Sequence, residues 1–87
     1  MPNVQKGTDM KLIHIITRWR KALLTLTEAA HASGMVHSTA ADIEAGRNTT
    51  SVSSYKHGVI KALRASRQRA VDHIAAVDEA LAEIENE

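Results

Sequence analysis

The sequence predicts an all-α protein, with short helices in its middle and a long C-terminal amphipathic helix. Three observations lead there. Apolar residues recur at helical spacing, and no stretch alternates as a half-buried strand does. The apolar material is Ala, Leu, Ile and Val, with Trp19 and Tyr55 the only aromatics, a composition rich in helix formers. Gly34 and Gly46 sit where two short helices must stop.

Each element follows in order. Residues 1–8 are polar, with Pro2 and Gly7, and are expected to be disordered. Thr8 or Asp9 can cap a first helix. Its apolar stripe is Leu12, Ile16, Trp19, Leu23 and Leu26, widened by Ile13 and Ile15. Thr27 can cap a short second helix over Glu28–Ser33, so a bend near Thr25 is expected. Ser38 or Thr39 starts another short helix, with Asp42 placed to return a capping contact to Thr39. Gly46 ends it, and residues 47–51 form a polar loop. The last helix begins around Ser51–Ser53. Its series Ile60, Leu63, position 67, Ala70, Ile74, Val77, Leu81, Ile84 is a heptad seam. Arg67 occupies one core-type position, where it can snorkel or help set register.

At 87 residues the chain is one domain. A domain this small buries only about 60–65% of its unfolded surface. With no cysteine it has no disulfide or thiolate staple, so oligomerisation is the expected support. No stretch suits a membrane span, and the N-terminus lacks the apolar run of a signal peptide. A cytoplasmic protein is expected, and Asn48-Thr49-Thr50 reads as loop chemistry rather than a glycosylation site.

The charge is uneven. In residues 1–69 eleven Lys and Arg face four acids (net +7), while residues 70–87 hold six acids and no Lys or Arg. A basic body with an acidic tail suits a polyanion partner for the body; the alternative is two ordinary solvated faces. His14, His31, His37, His57 and His73 show no ligand-type i, i+4 pairing, so no metal site is expected. There is no phosphate loop and no nucleophile elbow. Neither an enzyme, nor a catalytic residue, nor a cofactor, nor a small-molecule ligand is expected.

The middle of the chain carries a resemblance. Leu24-Thr25-Leu26-Thr27-Glu28-Ala29-Ala30, then Gly34-Met35, Ser38-Thr39 and Ile43-Glu44-Ala45-Gly46-Arg47, resembles the Xre, or Cro/lambda-repressor-like, helix-turn-helix family in order and spacing. With flanking helices the resemblance covers about residues 12–63. It implies a lambda-repressor-like helix-turn-helix bundle, with a DNA-binding domain over 9–65; beyond the matched residues, the heptad seam suggests a helical dimerisation extension over 66–87. The family's first-helix Arg, which pairs with the Glu at position 44, falls closest to Trp19 here, and either Arg18 or Arg20 can serve if the turn is one residue different.

The resemblance places the reading helix at about Ser38–Ala45. Such a helix lies in the major groove with its N-terminal residues at base edges. His37, Ser38, Ala41 and Asp42 are then the base-contacting candidates. Thr39, Arg47, Asn48, Lys56 and His57 are the phosphate-contacting candidates, which position the protein without specifying sequence. Physical reasons stand beside the likeness: Ala30 lets two helices cross closely, Gly34 permits the turn, and Met35 and Ile43 suit a shared core.

The seam residues Ala70, Ile74, Val77, Leu81 and Ile84 form the candidate dimer interface. Two copies can pair there, setting two reading helices about one DNA turn (roughly 34 Å) apart on a palindromic operator. The alternative is a fold of this helix back onto the first, where Ile13, Ile15 and Leu24 are surplus. The function implied is a DNA-binding transcriptional regulator of repressor type, acting as a homodimer. The rival is a small helical interaction module, an inhibitor or assembly adaptor, favoured if the first helix runs straight through Leu23–Thr27.

Overall fold

A computed structural model describes residues 2–86, and their side chains from Met10 onward. Four helices follow one another: α1 (Pro2–Leu23), α2 (Leu26–Ala32), α3 (His37–Glu44) and α4 (Val52–Glu85). The described residues form an all-α bundle, with no strand among them. No described helix is long and apolar enough to cross a membrane.

Helix α1 begins at Pro2, ahead of the cap expected at Thr8 or Asp9, so helix takes in residues 2–8, for which disorder was expected. The side chains of Thr8 and Asp9 lie outside the described residues. The buried face of α1 is also one step away from the expected stripe. Ile13, Ile16, Arg20 and Leu24 are buried, while Trp19 and Leu23 are exposed. Arg20 lies on this buried face, its guanidinium paired with Glu44 of α3.

The bend near Thr25 is present, with α1 ending at Leu23. Thr25, rather than Thr27, caps α2. The Thr25 hydroxyl accepts from the Glu28 N–H at 3.0 Å, and the Glu28 carboxylate accepts from the Thr25 N–H at 2.9 Å. This reciprocal pair satisfies two otherwise unpaired donors at the helix start. Thr27 has no acidic residue three positions on and cannot form it.

Both short helices end the same way. Gly34 has φ +68° and Gly46 has φ +81°, left-handed values that only glycine adopts freely. The Met35 N–H reaches Ala30 O at 3.0 Å and the Gly34 N–H reaches His31 O at 3.1 Å; Arg47 with Asp42 and Gly46 with Ile43 repeat the pattern. These paired bonds consume carbonyls that a helix end leaves open. The first turn delivers the chain, through an extended Val36, directly into α3 at His37 with no side-chain cap. Neither Ser38 nor Thr39 is the cap, and Asp42 does not return to Thr39; its carboxylate binds Arg47 instead.

The core gathers Ile13, Ile16, Leu24, Ala29, Ala30, Ala40, Ile43, Val52, Tyr55 and Val59, with Met35 and Leu63 packed against it. Helix α4 packs mainly on α2. Their approach depends on Gly58, where a Cβ would lie 2.5 Å from the Ser33 Cα. Beyond Ser66, α4 leaves the bundle, and every residue from Arg67 to Asn86 is exposed. The radius of gyration is 17.7 Å, against about 12 Å for a compact chain of this length. Ile74 and Ile84 are 60% and 71% exposed, so the C-terminal part of α4 is not folded back onto α1. Ile13 and Leu24 are not surplus either; they are core.

Candidate nucleic-acid interface

Helix α3 is short, and eight residues cannot hold a fixed orientation by themselves. Its position comes from the burial of Ala40 and Ile43 in the core and from one carboxylate. Glu44, in the last turn of α3, accepts two parallel bonds from Arg20 of α1, Nε to Oε2 at 2.8 Å and Nη2 to Oε1 at 2.6 Å. The Tyr55 hydroxyl of α4 donates to the same carboxylate. Arg20 also reaches Leu24 O at 3.4 Å, at the α1–α2 break. One forked, charge-assisted contact therefore ties α3 to the helices on either side.

The electrostatics follow from that arrangement. Burial pushes the Glu44 carboxyl up, but hydrogen bonds from Arg20 and Tyr55, together with the Arg20 charge, outweigh it and hold the group below its ordinary value. Hydrogen bonding to Glu44 raises Arg20 against the opposing effect of burial. Burial, then the bond to Glu44, raises Tyr55 well above a free phenol. Of the two arginines that the sequence left open, Arg20 is the partner of Glu44. Arg18 lies over the Trp19 ring, 5.3 Å from its centroid.

Around this clamp α3 has two sides. Ala40 and Ile43 are buried in the core, while His37 and Ser38 are exposed. Thr39, Ala41 and Asp42 are half-buried at the edges. Arg47 is exposed, and its guanidinium is paired with Asp42 at 2.9 Å. Such a surface pair contributes little, about 0–1 kcal/mol, so Arg47 can exchange Asp42 for a stronger anion at small cost.

The remaining candidates are spread more widely. Asn48 turns its side-chain oxygen inward, accepting from the Thr50 and Ser51 N–H groups, each at 3.1 Å. Its structural duty is to shape the loop into α4. His57 is exposed on α4, whereas Lys56 is half-buried and lines an apolar groove between α1 and α4. Ala70, Ile74, Val77, Leu81 and Ile84 are exposed along the free part of α4. Among the described residues no cluster of His, Asp or Glu is arranged to hold a metal ion.

Two structural residues escaped the sequence reading. Tyr55 is fully buried and holds Glu44. A lone tyrosine beside the start of a helix in a chain so poor in aromatics was the available signal. Gly58 was also legible in principle, as a glycine inside a helix with no turn to make. Comparison of the chain with models of known protein families, with curated proteins and with solved structures finds no match.

Proposed function

We propose that this chain is a sequence-specific DNA-binding regulator of the lambda-repressor-like helix-turn-helix type, a repressor acting as a homodimer on a palindromic operator. The observation that carries the reading is the posture of α3. It is bracketed by two left-handed glycines, buried on one side through Ala40 and Ile43, and clamped at its far end by Glu44. Its opening residues, His37 and Ser38, are left to solvent. A helix with a rigid seat and a free N-terminal turn suits insertion into a major groove.

The roles follow from chemistry. His37 and Ser38 donate and accept at base edges, and Asp42 can accept from a cytosine amino group. Arg47, just past α3, takes a backbone phosphate once it releases Asp42. The net charge of +7 over residues 1–69 supplies attraction that does not depend on sequence.

Selection of bound duplexes from a random DNA pool tests the proposal. An inverted repeat should emerge. Arg47→Ala should weaken binding to all sequences alike, while His37→Ala or Ser38→Ala should change the recovered bases. A pool that shows no enrichment over non-specific sequence would refute sequence-specific recognition.

The exposed apolar residues favour a second reading, a protein-interaction module. Ile15 and Trp19 on α1 and the α4 stripe offer a helical surface to another protein. Specific capture of a folded partner, with no affinity for duplex DNA at low salt, would select it.

A further inference from the structure

We infer that two copies of this chain pair through the free part of α4 in antiparallel orientation, which sets the two bundles at opposite ends of a shared rod. The inference rests on the homodimer reading above and adds its geometry.

The occupant is a second copy because the rod is complementary to itself. Residues 52–69 of α4 carry Lys56, Lys61, Arg64, Arg67 and Arg69 and no acid; residues 70–87 carry six acids and no Lys or Arg. Side by side in parallel, two such helices set acid beside acid over the whole exposed end. Head to tail, with the free rods overlaid, Glu83 and Glu85 come beside the other copy's Arg64, Arg67 and Arg69, and only Asp72, Asp78 and Glu79 stay near acids of the partner.

Arg67 sharpens the choice. It falls on the seam, between Leu63 and Ala70 in heptad spacing. In a parallel pair, seam positions face their own counterparts, so Arg67 would meet Arg67 across a closing apolar stripe. In an antiparallel pair that overlays the free rod on itself, Ile74 faces the partner's Val77. Ala70 then faces the partner's Leu81. Arg67 lies beside the partner's Ile84, level with its Glu83, and Arg64 comes within one helical turn of its Glu85.

Shape adds an independent argument. Ile15, Ile16 and Trp19 of α1 line a groove with Val59, Ile60 and Leu63 of α4. Ile60 and Leu63 belong to the same heptad series as Ile74 and Leu81. So α1 lies on the seam side of α4. A parallel partner would bring its own α1 into that space. An antiparallel partner overlaps only residues 64–86 and leaves both α1 helices clear. Gly58 of the two copies is then about 50 Å apart at 1.5 Å rise per residue. The operator half-sites are accordingly separated by more than one DNA turn.

The test uses the full chain, which has no cysteine, carrying a single spin label at Asn86→Cys, with Ala76→Cys as a second site near the predicted axis. Sedimentation gives the mass, and dipolar spectroscopy gives the label separation. The antiparallel arrangement predicts a dimer with labels at 86 about 30 Å apart and labels at 76 much closer. A dimer with both sites closer than about 20 Å, as expected for parallel helices about 10 Å apart, overturns the orientation while leaving the dimer. A monomeric mass for the unlabelled chain overturns the orientation and the dimer reading together.

Discussion

Glu44 is the residue on which three helices agree. Its carboxylate is part-buried against Arg20 and Tyr55, so losing one partner leaves a desolvated charge unpaired. Removing one member of a buried pair costs about 3–5 kcal/mol. Arg20→Met should fall at the low end, about 3 kcal/mol, in denaturant unfolding. The pH dependence follows from direction. The folded-state value of Glu44 lies below its unfolded value, near 4.3. Its contribution is therefore present above that pH and lost as the pH falls through the folded-state value. Glu28, held low by its capping bonds to Thr25, adds to the same acid limb. Glu44→Gln should be less stable at neutral pH and show a flatter acid limb than the parent. An unchanged limb would mean that Glu44 does not carry it. The sequence left Arg18 and Arg20 open because side-chain direction turns through 100° per helical residue, and a one-step change of face exchanges core for solvent. Only the partner settled it.

At the scale of elements, the glycines separate two kinds of constraint. Gly34 has a positive φ and open space around it; Gly58 is helical but pressed against Ser33. Gly34→Ala should cost about 1 kcal/mol through backbone conformation alone. Gly58→Ala gains helix propensity, about 1 kcal/mol, yet it must push α2 from α4 and should be net destabilising. Thermal unfolding of the two variants checks both signs, and a stabilised Gly58→Ala would show that the helices are not in close contact there. The turns were legible because a glycine in a left-handed cap leaves a local mark. The end of α3 was therefore read closely, whereas its start, expected at Ser38 or Thr39, falls at His37. Local marks served less well where two threonines competed to cap α2. Thr25 won because Glu28 lies three residues beyond it. Tyr55 and Gly58 were not read at all, since their reasons lie in Glu44 and Ser33, 11 and 25 positions away.

At the scale of the molecule, a bundle and a rod divide the labour. The rod exposes Val71, Ile74, Val77, Leu81 and Ile84, a stripe of the kind that marks an interaction surface. Ile74→Asp with Leu81→Asp should yield monomers in sedimentation with the helical signal of the bundle retained; a dimer that survives both changes would place the interface elsewhere. The periodicity of this stripe was plain in the sequence, but its exposure was not, because a seam looks the same whether its own chain or another covers it. The central claim concerns the bundle, whose α3 is proposed to enter a DNA groove. It is tested most directly by fluorescence anisotropy of the chain on duplex DNA, including any duplex recovered from the random pool, over a range of salt. The account predicts tight binding at low salt and a linear fall of log K with log salt concentration, with a slope set by the phosphates neutralised. No detectable binding to duplex DNA at low salt would contradict it.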